Sequence, residues 1–561
     1  MTLPYPMKAI IRNILLLTIV CAQAKAQDNK GKTGNLGNED VNVVKEYTPI
    51  LNDAFKININ PDADTSTLRA IKVPDYLIEA RPMNSNYNTS PIKPVRIKDD
   101  AIKKLYRGFV KAGYGLESMP LLDVSFNSLR SKSYDAGLRF KHLSASGKIN
   151  DYGFPGNSNN NLNAFGTRYF EKFSMTGEVT YNRDAVHYYG FQSPPELFSK
   201  SETLRSMNTL EGKIGLTSSR TEKEAWNYHV LAGFYNFSDN LDASENNTTL
   251  NLGISKHLNN SRFSIQTLGD FGKISQTGFD YTRNIVRFNP RLDLEGKGYT
   301  VSLGGNLAVE SNNGNNDAHL YPFVHGEYAI IDNVFRVHAG IKGDLQRNDL
   351  RTLSGENPFL GENIALNNTN QRLAIEAGTS IKLEHHLMLH GTILWSRLKN
   401  QDFFKNTFSN PTTFNIVYDD ATLLQLKGAL EYKQAEKYTL AFSVNYNNYS
   451  PDNLKEPLYI PAIRIGFNGS YTIAEKIYLH ADFFYNSSLN GVEYQQSASG
   501  LTEKIVTLKG YMDANLGLDY RYSKVLSAFV SLNNIGFARY FRWYEYPSYR
   551  FLGMAGITYA F

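Results

Sequence analysis

Apolar and polar residues alternate along most of the chain from Arg107 onward, in long windows separated by clusters of turn-forming residues. The stretch 437–449 is representative. One of its faces carries Tyr438, Leu440, Phe442, Val444 and Tyr446, and the other carries Thr439, Ala441, Ser443 and Asn445. Because successive side chains of a strand point to opposite faces, this alternation predicts β-strands rather than helices.

The length of these windows indicates where the strands lie. Strands of soluble proteins average about 5–6 residues, whereas roughly 9–11 residues are needed to cross a bilayer at a tilt. The apolar faces also begin and end with aromatic residues, as in the two interfacial girdles of outer-membrane proteins. Backbone groups within lipid must all be paired, so the sheet has to close on itself. We therefore predict an all-β fold, a transmembrane antiparallel β-barrel spanning residues 107–561.

The strand count and the connections support this prediction. We count about 22 strands, with 20 or 24 if one window is merged or split. Links after even-numbered strands are short, and links after odd-numbered strands are long apart from the first. Examples of the short set are 170–172, 295–298 and 473–476, and examples of the long set are 182–206, 346–369 and 487–505. This pattern predicts short periplasmic turns, longer extracellular loops and, for an even strand number, both termini in the periplasm.

The N-terminal residues resemble an export signal. Lys8 and Arg12 precede the apolar run 14–20, and Ala24 and Ala26 form a small-x-small cleavage site. This order of basic, apolar and small residues is typical of a secretory signal peptide. We predict that residues 1–26 are removed and that the mature chain begins at Gln27.

Charge and composition argue against several functions. Cleavage removes three basic residues, which lowers the formal charge from +5 to +2, and it also removes the single cysteine. A nearly neutral chain without cysteine gives no electrostatic case for nucleic acid, no disulfide and no thiolate metal site. His480 and Asp482 share the predicted lumen face, but no serine partner accompanies them. We expect lumen wall there, with no catalytic residues, no metal site, no cofactor and no enzymatic activity.

The last thirty residues carry a family resemblance. In the run 532–561, an Asn-Asn pair (Asn533, Asn534) is followed by an aromatic pair and then by Pro547 and Arg550. These lead into a final strand that ends at Phe561. This order resembles the C-terminal end of TonB-dependent receptors, and a 22-strand barrel is also the fold that the resemblance implies.

The final strand has a second resemblance. Ile557, Tyr559 and Phe561 alternate on one face up to an aromatic last residue. This pattern is similar to the C-terminal signal that the barrel assembly machinery reads in outer-membrane proteins. Phe561 is expected at the periplasmic interface, with outer-membrane lipid around this face.

The family pattern fails at the N-terminal side of the barrel. Receptors of this family fill the barrel with an N-terminal plug of well over a hundred residues, whereas residues 27–106 are too few for one. Either this segment occludes the lumen, or another protein does. The β-prone run 40–44 lies where a TonB-contacting segment would, although such a run is more often an ordinary periplasmic strand. Candidate partners are therefore TonB and an accessory plug or lipoprotein subunit.

The resemblance and the composition together favour transport. We predict a protein of the cell outer membrane that acts in passage of a solute or polypeptide without a full plug domain. The alternative is a structural or assembly subunit of a larger outer-membrane complex whose barrel does not conduct. The sequence names no substrate.

Overall fold

The computed structural model describes residues 105–191, 198–219, 225–408, 410–434, 437–497 and 500–561. The predicted signal peptide 1–26, with Ala24 and Ala26, lies outside the described residues, and so do the run 40–44 and all but the last two residues of segment 27–106.

One antiparallel sheet of 22 strands accounts for most of the described chain and closes into a barrel, which confirms the predicted fold and strand number. Its strands are β1 Gly108–Gly115, β2 Met119–Asn127, β3 Tyr134–Ala145, β4 Asn157–Tyr169, β5 Phe173–His187, β6 Leu204–Ser218, β7 Trp226–Asp239, β8 Ser244–Leu258, β9 Ser261–Gln276, β10 Phe279–Gly296, β11 Tyr299–Asn312, β12 Asn315–Ile331, β13 Phe335–Gln346, β14 Thr369–Glu384, β15 Leu387–Asn406, β16 Phe414–Gln434, β17 Tyr438–Pro451, β18 Ile463–Ile473, β19 Ile477–Asn486, β22 Tyr511–Arg521, β23 Leu526–Asn533 and β26 Leu552–Ala560. The labels β20, β21, β24 and β25 belong to short strands in the links, which are described below. Each barrel strand pairs with the next barrel strand in chain order.

The barrel closes between its first and last strands. In the register of β1 and β26, Phe109 lies opposite Ala560 and Gly115 lies opposite Met554. At the end of this seam, the backbone N–H groups of Arg107 and Gly108 donate to the carbonyl oxygen of Phe561, at 2.7 and 3.2 Å. The strand edges are thereby paired, as lipid requires.

The two rims of the barrel differ. We call the rim that carries the links after even-numbered strands, such as 297–298 and 385–386, the turn end, and the opposite rim the loop end. Every link at the turn end is short, as predicted.

The loop end departs from the sequence prediction at three links. Links 240–243, 277–278 and 313–314 are tight turns rather than long loops, because the flanking strands extend further toward this rim. Gly278 and Gly314 have φ of +87° and +91°, the left-handed conformation that a two-residue hairpin turn requires.

Smaller elements lie in the long links of the loop end. Two short helices, α1 (Lys200–Thr203) and α2 (Leu350–Glu356), lie in the links before β6 and before β14. The link 487–510 forms a hairpin of β20 (Leu489–Ser497) and β21 (Gly500–Leu508). The link 534–551 forms a small one of β24 (Phe541–Trp543) and β25 (Tyr546–Pro547).

Side chains alternate between an apolar outer face and a more polar lumen. Val179, Ile214 and Ile557 point outward and are more than half exposed, as lipid-facing residues of an isolated barrel should be. Aromatic pairs mark the turn-end rim of this face. They are Phe170 with Phe173, Tyr438 with Tyr471, and Tyr559 with Phe561.

Among the described residues, no helix has the length and apolar character needed to cross a bilayer.

Candidate functional site: the loop-end cap

The link 347–368 between β13 and β14 folds into the loop-end mouth of the barrel. Its contacts are with lumen-facing side chains of β6, β8, β9 and β10, which lie several strands away along the sheet. A link that reaches these side chains must lie inside the mouth rather than outside the rim. We call this link, with the parts of links 452–462, 487–510 and 534–551 that pack on it, the cap.

Arg205 of β6 is one anchor of the cap. Its guanidinium donates to the carbonyl oxygens of Pro358 (3.1 Å) and Leu360, and to the hydroxyl of Ser354 (3.2 Å). It also forms an ion pair with Asp239 at 3.1 Å, in which both side chains are 2% exposed. A buried guanidinium needs several acceptors to offset its desolvation. Two of these acceptors are carbonyl oxygens of the cap. The buried guanidinium of Arg205 therefore keeps its hydrogen bonds only while the link stays in this position.

A second anchor joins Glu245 of β8 to the start of the same link. Arg347 pairs with this carboxylate at 3.0 Å, and the backbone N–H of Leu350 donates to its other oxygen at 2.8 Å. The second bond satisfies one free N–H at the start of α2. The side chain of Asp349 caps the same helix by accepting from the N–H of Thr352 at 2.7 Å.

A third anchor fixes the far half of the link. Gln276 of β9 makes a reciprocal pair with the backbone of Ile364, accepting at 2.7 Å and donating at 2.9 Å. Arg283 of β10 donates to the carbonyl oxygen of Asn348 and to the side chain of Asn368. The link is therefore held at both ends and in its middle.

An aromatic core joins the link 347–368 to the other links of the cap. Phe359 stacks on Tyr546 with ring centroids 3.7 Å apart, and Tyr546 donates its hydroxyl to the carbonyl oxygen of Thr412. Phe414 packs edge-on against both Tyr459 and Trp543, at 5.3 Å. These rings come from four different parts of the chain. Burying them together narrows the mouth and makes the links fold as one unit.

The residues of the predicted family motif organise one part of this cap. Asn534 has a φ of +51°, and its side chain accepts from the N–H of Ala538 and donates to the carbonyls of Ala538 and Tyr549. Asn533 is the last residue of β23, and the carbonyl oxygen of Pro547 accepts from the hydroxyl of Tyr189. Arg550 lines a polar cleft of about 370 Å³ beside this link.

The residues of the predicted assembly signal share the outer face of β26. Ile557, Tyr559 and Phe561 are 56%, 50% and 46% exposed, and the last two rings stack at 6.4 Å. Phe561 lies at the turn end beside Gly108.

Histidine rings lie against glycines on the lumen wall near the turn end. His229, His338 and His480 are each the fourth residue of a strand that starts at this end, and each faces a glycine in the register. The glycine partners are Gly253, Gly378 and Gly517. A Cβ atom on any of them would lie within 2.5 Å of the imidazole. The rings therefore lie flat along the wall, and sequence alternation alone did not reveal these pairs.

The predicted pair of polar residues on β19 is part of this wall. His480 is 3.9 Å from the carboxylate of Asp519, and Asp482 accepts from the side chain of Asn468 at 2.5 Å. Both residues are thus engaged with neighbouring strands. Within the part of the chain that the structure describes, no group of three or more His, Cys, Asp or Glu residues is placed to hold a metal ion.

Comparison with known proteins gives a match by structure only. No protein-family model matches the sequence, and no curated protein matches it. The FrpB iron transporter from Neisseria meningitidis (F3-3 variant) aligns with a TM-score of 0.63 and 9% identity, over 82% of this chain and 82% of FrpB. The siderophore receptor PirA from Acinetobacter baumannii aligns with a TM-score of 0.62 and 10% identity, over 82% and 81%.

A third solved structure extends the likeness. The ferripyoverdine receptor of the outer membrane of Pseudomonas aeruginosa, bound to ferripyoverdine, aligns with a TM-score of 0.61 and 11% identity. The alignment covers 82% of this chain and 72% of the receptor. The chain therefore has the 22-strand barrel fold of TonB-dependent siderophore receptors, as the C-terminal resemblance predicted.

Proposed function

We propose that this protein carries a solute or polypeptide across the outer membrane and that the loop-end cap is its outer gate. The loop end faces the outside, and both chain termini lie in the periplasm. The cap carries this proposal, because links from distant strands are folded into the mouth of a barrel wide enough to conduct. The barrels of an iron transporter and of siderophore receptors have the same fold, which supports the proposal.

The N-terminal segment 27–106 is the candidate second barrier in this proposal. A 22-strand barrel leaves a wide lumen, and this segment is too short for the plug that the family resemblance implies. Either this segment or an accessory plug or lipoprotein subunit occludes the lumen, and TonB is the candidate partner that opens it. The barrel assembly machinery inserts the chain through Ile557, Tyr559 and Phe561, and Ala24 and Ala26 direct removal of the signal peptide.

Single-channel conductance in planar bilayers tests these roles. We compare the full mature chain with a chain that lacks residues 27–106. Larger or more frequent openings after the deletion support an occluding segment, and further opening after the cap is weakened supports an outer gate. Absence of pores in every variant, with the barrel shown to be folded, would overturn the transport proposal.

One observation favours a second function, a structural or assembly subunit whose barrel does not conduct. The anchors Arg205 and Arg347 are almost fully buried, and a permanently closed cap would also use such anchors. A structural subunit would purify from native membranes in fixed stoichiometry with other proteins. It would also retain its role when the cap is locked to the wall by an engineered disulfide, whereas a gated transporter would lose activity.

A further inference from the structure

A cleft of about 610 Å³ lies at the loop end, beside the cap. Its walls come from described residues of four loop-end links, those before β6, β8, β14 and β16, and from Asn415 of β16. Its floor reaches the cap itself, because Tyr188 lines the cleft and donates its hydroxyl to the carbonyl oxygen of Leu360 at 2.6 Å. A molecule held here would touch the same link that Arg205 anchors.

One wall of the cleft is aromatic. Phe191 and Phe198 meet edge to face with ring centroids 5.2 Å apart, and Tyr188 continues this wall. Phe198 is 47% exposed, although a large aromatic side chain gains most from burial. The cleft therefore leaves aromatic surface free for a bound molecule.

The charge of the cleft has one sign. Of the thirteen residues that line it in the described part of the chain, Glu202 and Glu362 are acidic and none is Lys, Arg or His. Glu362 is exposed, and no described residue forms an ion pair with it. The nearest base in the sequence, Lys200 of α1, is placed instead over the ring of Phe154 at 3.9 Å.

The Glu202 carboxylate is held in place. The N–H and the hydroxyl of Ser199 both donate to one of its oxygens, at 2.6 and 2.7 Å, within the capping box of α1. These hydrogen bonds lower the pKa of Glu202, so its charge is present at neutral pH. The second carboxylate oxygen has no such partner among the described residues.

We propose that this cleft binds a small organic cation that carries an apolar or aromatic body. Aromatic faces and carboxylates are the groups that recognise such cations, and the two glutamates disfavour a free anion. The volume suits a molecule of modest size rather than a folded partner. Binding would stabilise the cap through Tyr188. The cleft binds the cation whether or not the barrel conducts, and only the role of that cation as the transported substrate rests on the proposed function.

The test uses three matched probes and the purified full chain in detergent. Isothermal titration compares 2-phenylethylamine, a cation, with neutral 2-phenylethanol and anionic 3-phenylpropanoate. We expect the amine to bind at least about tenfold more tightly than the anion. Glu362→Gln keeps the shape of the side chain and removes its charge, and should weaken amine binding about three- to tenfold.

Glu456→Gln is the matched control, because Glu456 is an exposed glutamate of another loop-end link, outside the cleft. It should leave the amine affinity unchanged. Equal binding of amine and anion, or an unchanged affinity in Glu362→Gln, would overturn the inference. Proteoliposome uptake of the same amine, measured with the chain that lacks residues 27–106, separates the two proposals. Binding without uptake keeps the cleft and rejects the amine as a transported substrate, whereas uptake without cleft binding keeps transport and rejects the cleft.

Discussion

Arg347 and Glu245 form an ion pair of 3.0 Å that is almost completely buried and joins the start of the cap to the lumen face of the barrel. The pair lies where the chain leaves β13 to enter the mouth. Because both side chains are buried away from water, each charge is stabilised mainly by the opposite charge of its partner. The attachment of the cap to the wall is therefore sensitive to single substitutions on either side.

Arg347→Ala should release the start of the cap. It leaves Glu245 as an uncompensated buried charge, which costs about 3–5 kcal/mol. We expect trypsin to cleave after Arg351, in the released helix α2, on the order of a hundredfold faster, as mass spectrometry would show.

Arg336→Ala is the control for this variant. Arg336 pairs with Glu327 at 2.9 Å near the turn end, but the two side chains are 53% and 40% exposed. Exposed pairs contribute about 0–1 kcal/mol, so cleavage should hardly change. Equal protection of Arg351 in the wild type and Arg347→Ala would mean that the ion pair does not hold the cap.

Tyr546→Ala should open the mouth. The ring is buried at 3% exposure, stacks on Phe359 and meets Tyr189 edge to face at 4.9 Å. Removing a buried aromatic ring costs about 3–5 kcal/mol, and here the loss falls on packing between separate links. The expected result is a higher open probability in planar bilayers, in the chain that also lacks residues 27–106.

Tyr546→Phe separates packing from hydrogen bonding. It removes the hydroxyl that donates to the carbonyl of Thr412, a bond worth about 1 kcal/mol, and should conduct nearly as the wild type does. A cap that stays closed in Tyr546→Ala would argue that the aromatic core does not gate the barrel.

Gly517→Ala should destabilise the barrel near the turn end. A Cβ atom at this position would lie 1.7 Å from Nε2 of His480, so the imidazole has to leave the wall. Because the His480 side chain is 49% exposed, its ring can move into the lumen, so we expect a cost at the low end of the about 1–3 kcal/mol typical of overpacking. We expect a smaller folded fraction and a lower unfolding temperature, read from the heat-dependent mobility of the barrel in gel electrophoresis.

Two further variants decide the cause. The double variant Gly517→Ala with His480→Ala should regain folded protein, because the colliding ring is gone. Gly428→Ala, where a Cβ atom meets no atom within 4 Å, should be neutral. Failure of the double variant to recover would show that the glycine is needed for its backbone and not for the ring.

The pH dependence of amine binding should follow Glu202 once Glu362 is neutralised. A carboxyl with a lowered pKa stays ionised below the ordinary value of 4.5, and its charge is lost only as the pH falls through the lowered pKa. In Glu362→Gln, binding at pH 5 should therefore equal that at pH 7. Ser199→Ala removes a donor to Glu202 and should shift the loss of binding to higher pH.

The barrel was predictable because its pattern is local. Alternation within each window gives the strand and its lipid face, so all 22 strands and the short turns could be placed from residues such as Tyr438 and Phe442. Strand ends were harder to predict, because the strands beside links 277–278 and 313–314 extend further than their alternation indicates. At these links, most residues at the tip of the hairpin are polar, so their sequence cannot be distinguished from that of a loop.

The cap was not predictable for the opposite reason. The sequence predicts loops for links 346–369 and 487–505, although most of the second link forms the hairpin of β20 and β21. The positions of both links depend on partners far away in the sequence, such as Arg205 for the carbonyl of Leu360. The glycine partners of the histidines are equally distant in the chain. The aromatic residues of link 534–551 were visible as a family motif, but their packing against Phe359 was not.

The seam between β1 and β26 has a consequence for biosynthesis. Phe109 pairs with Ala560, so two residues separated by 451 positions must meet before the sheet has no free edge. The ribosome completes β1 long before it synthesises the partner strand β26. Throughout synthesis one edge of β1 has no partner within the chain and can pair with other chains, and closure is by necessity a post-translational event.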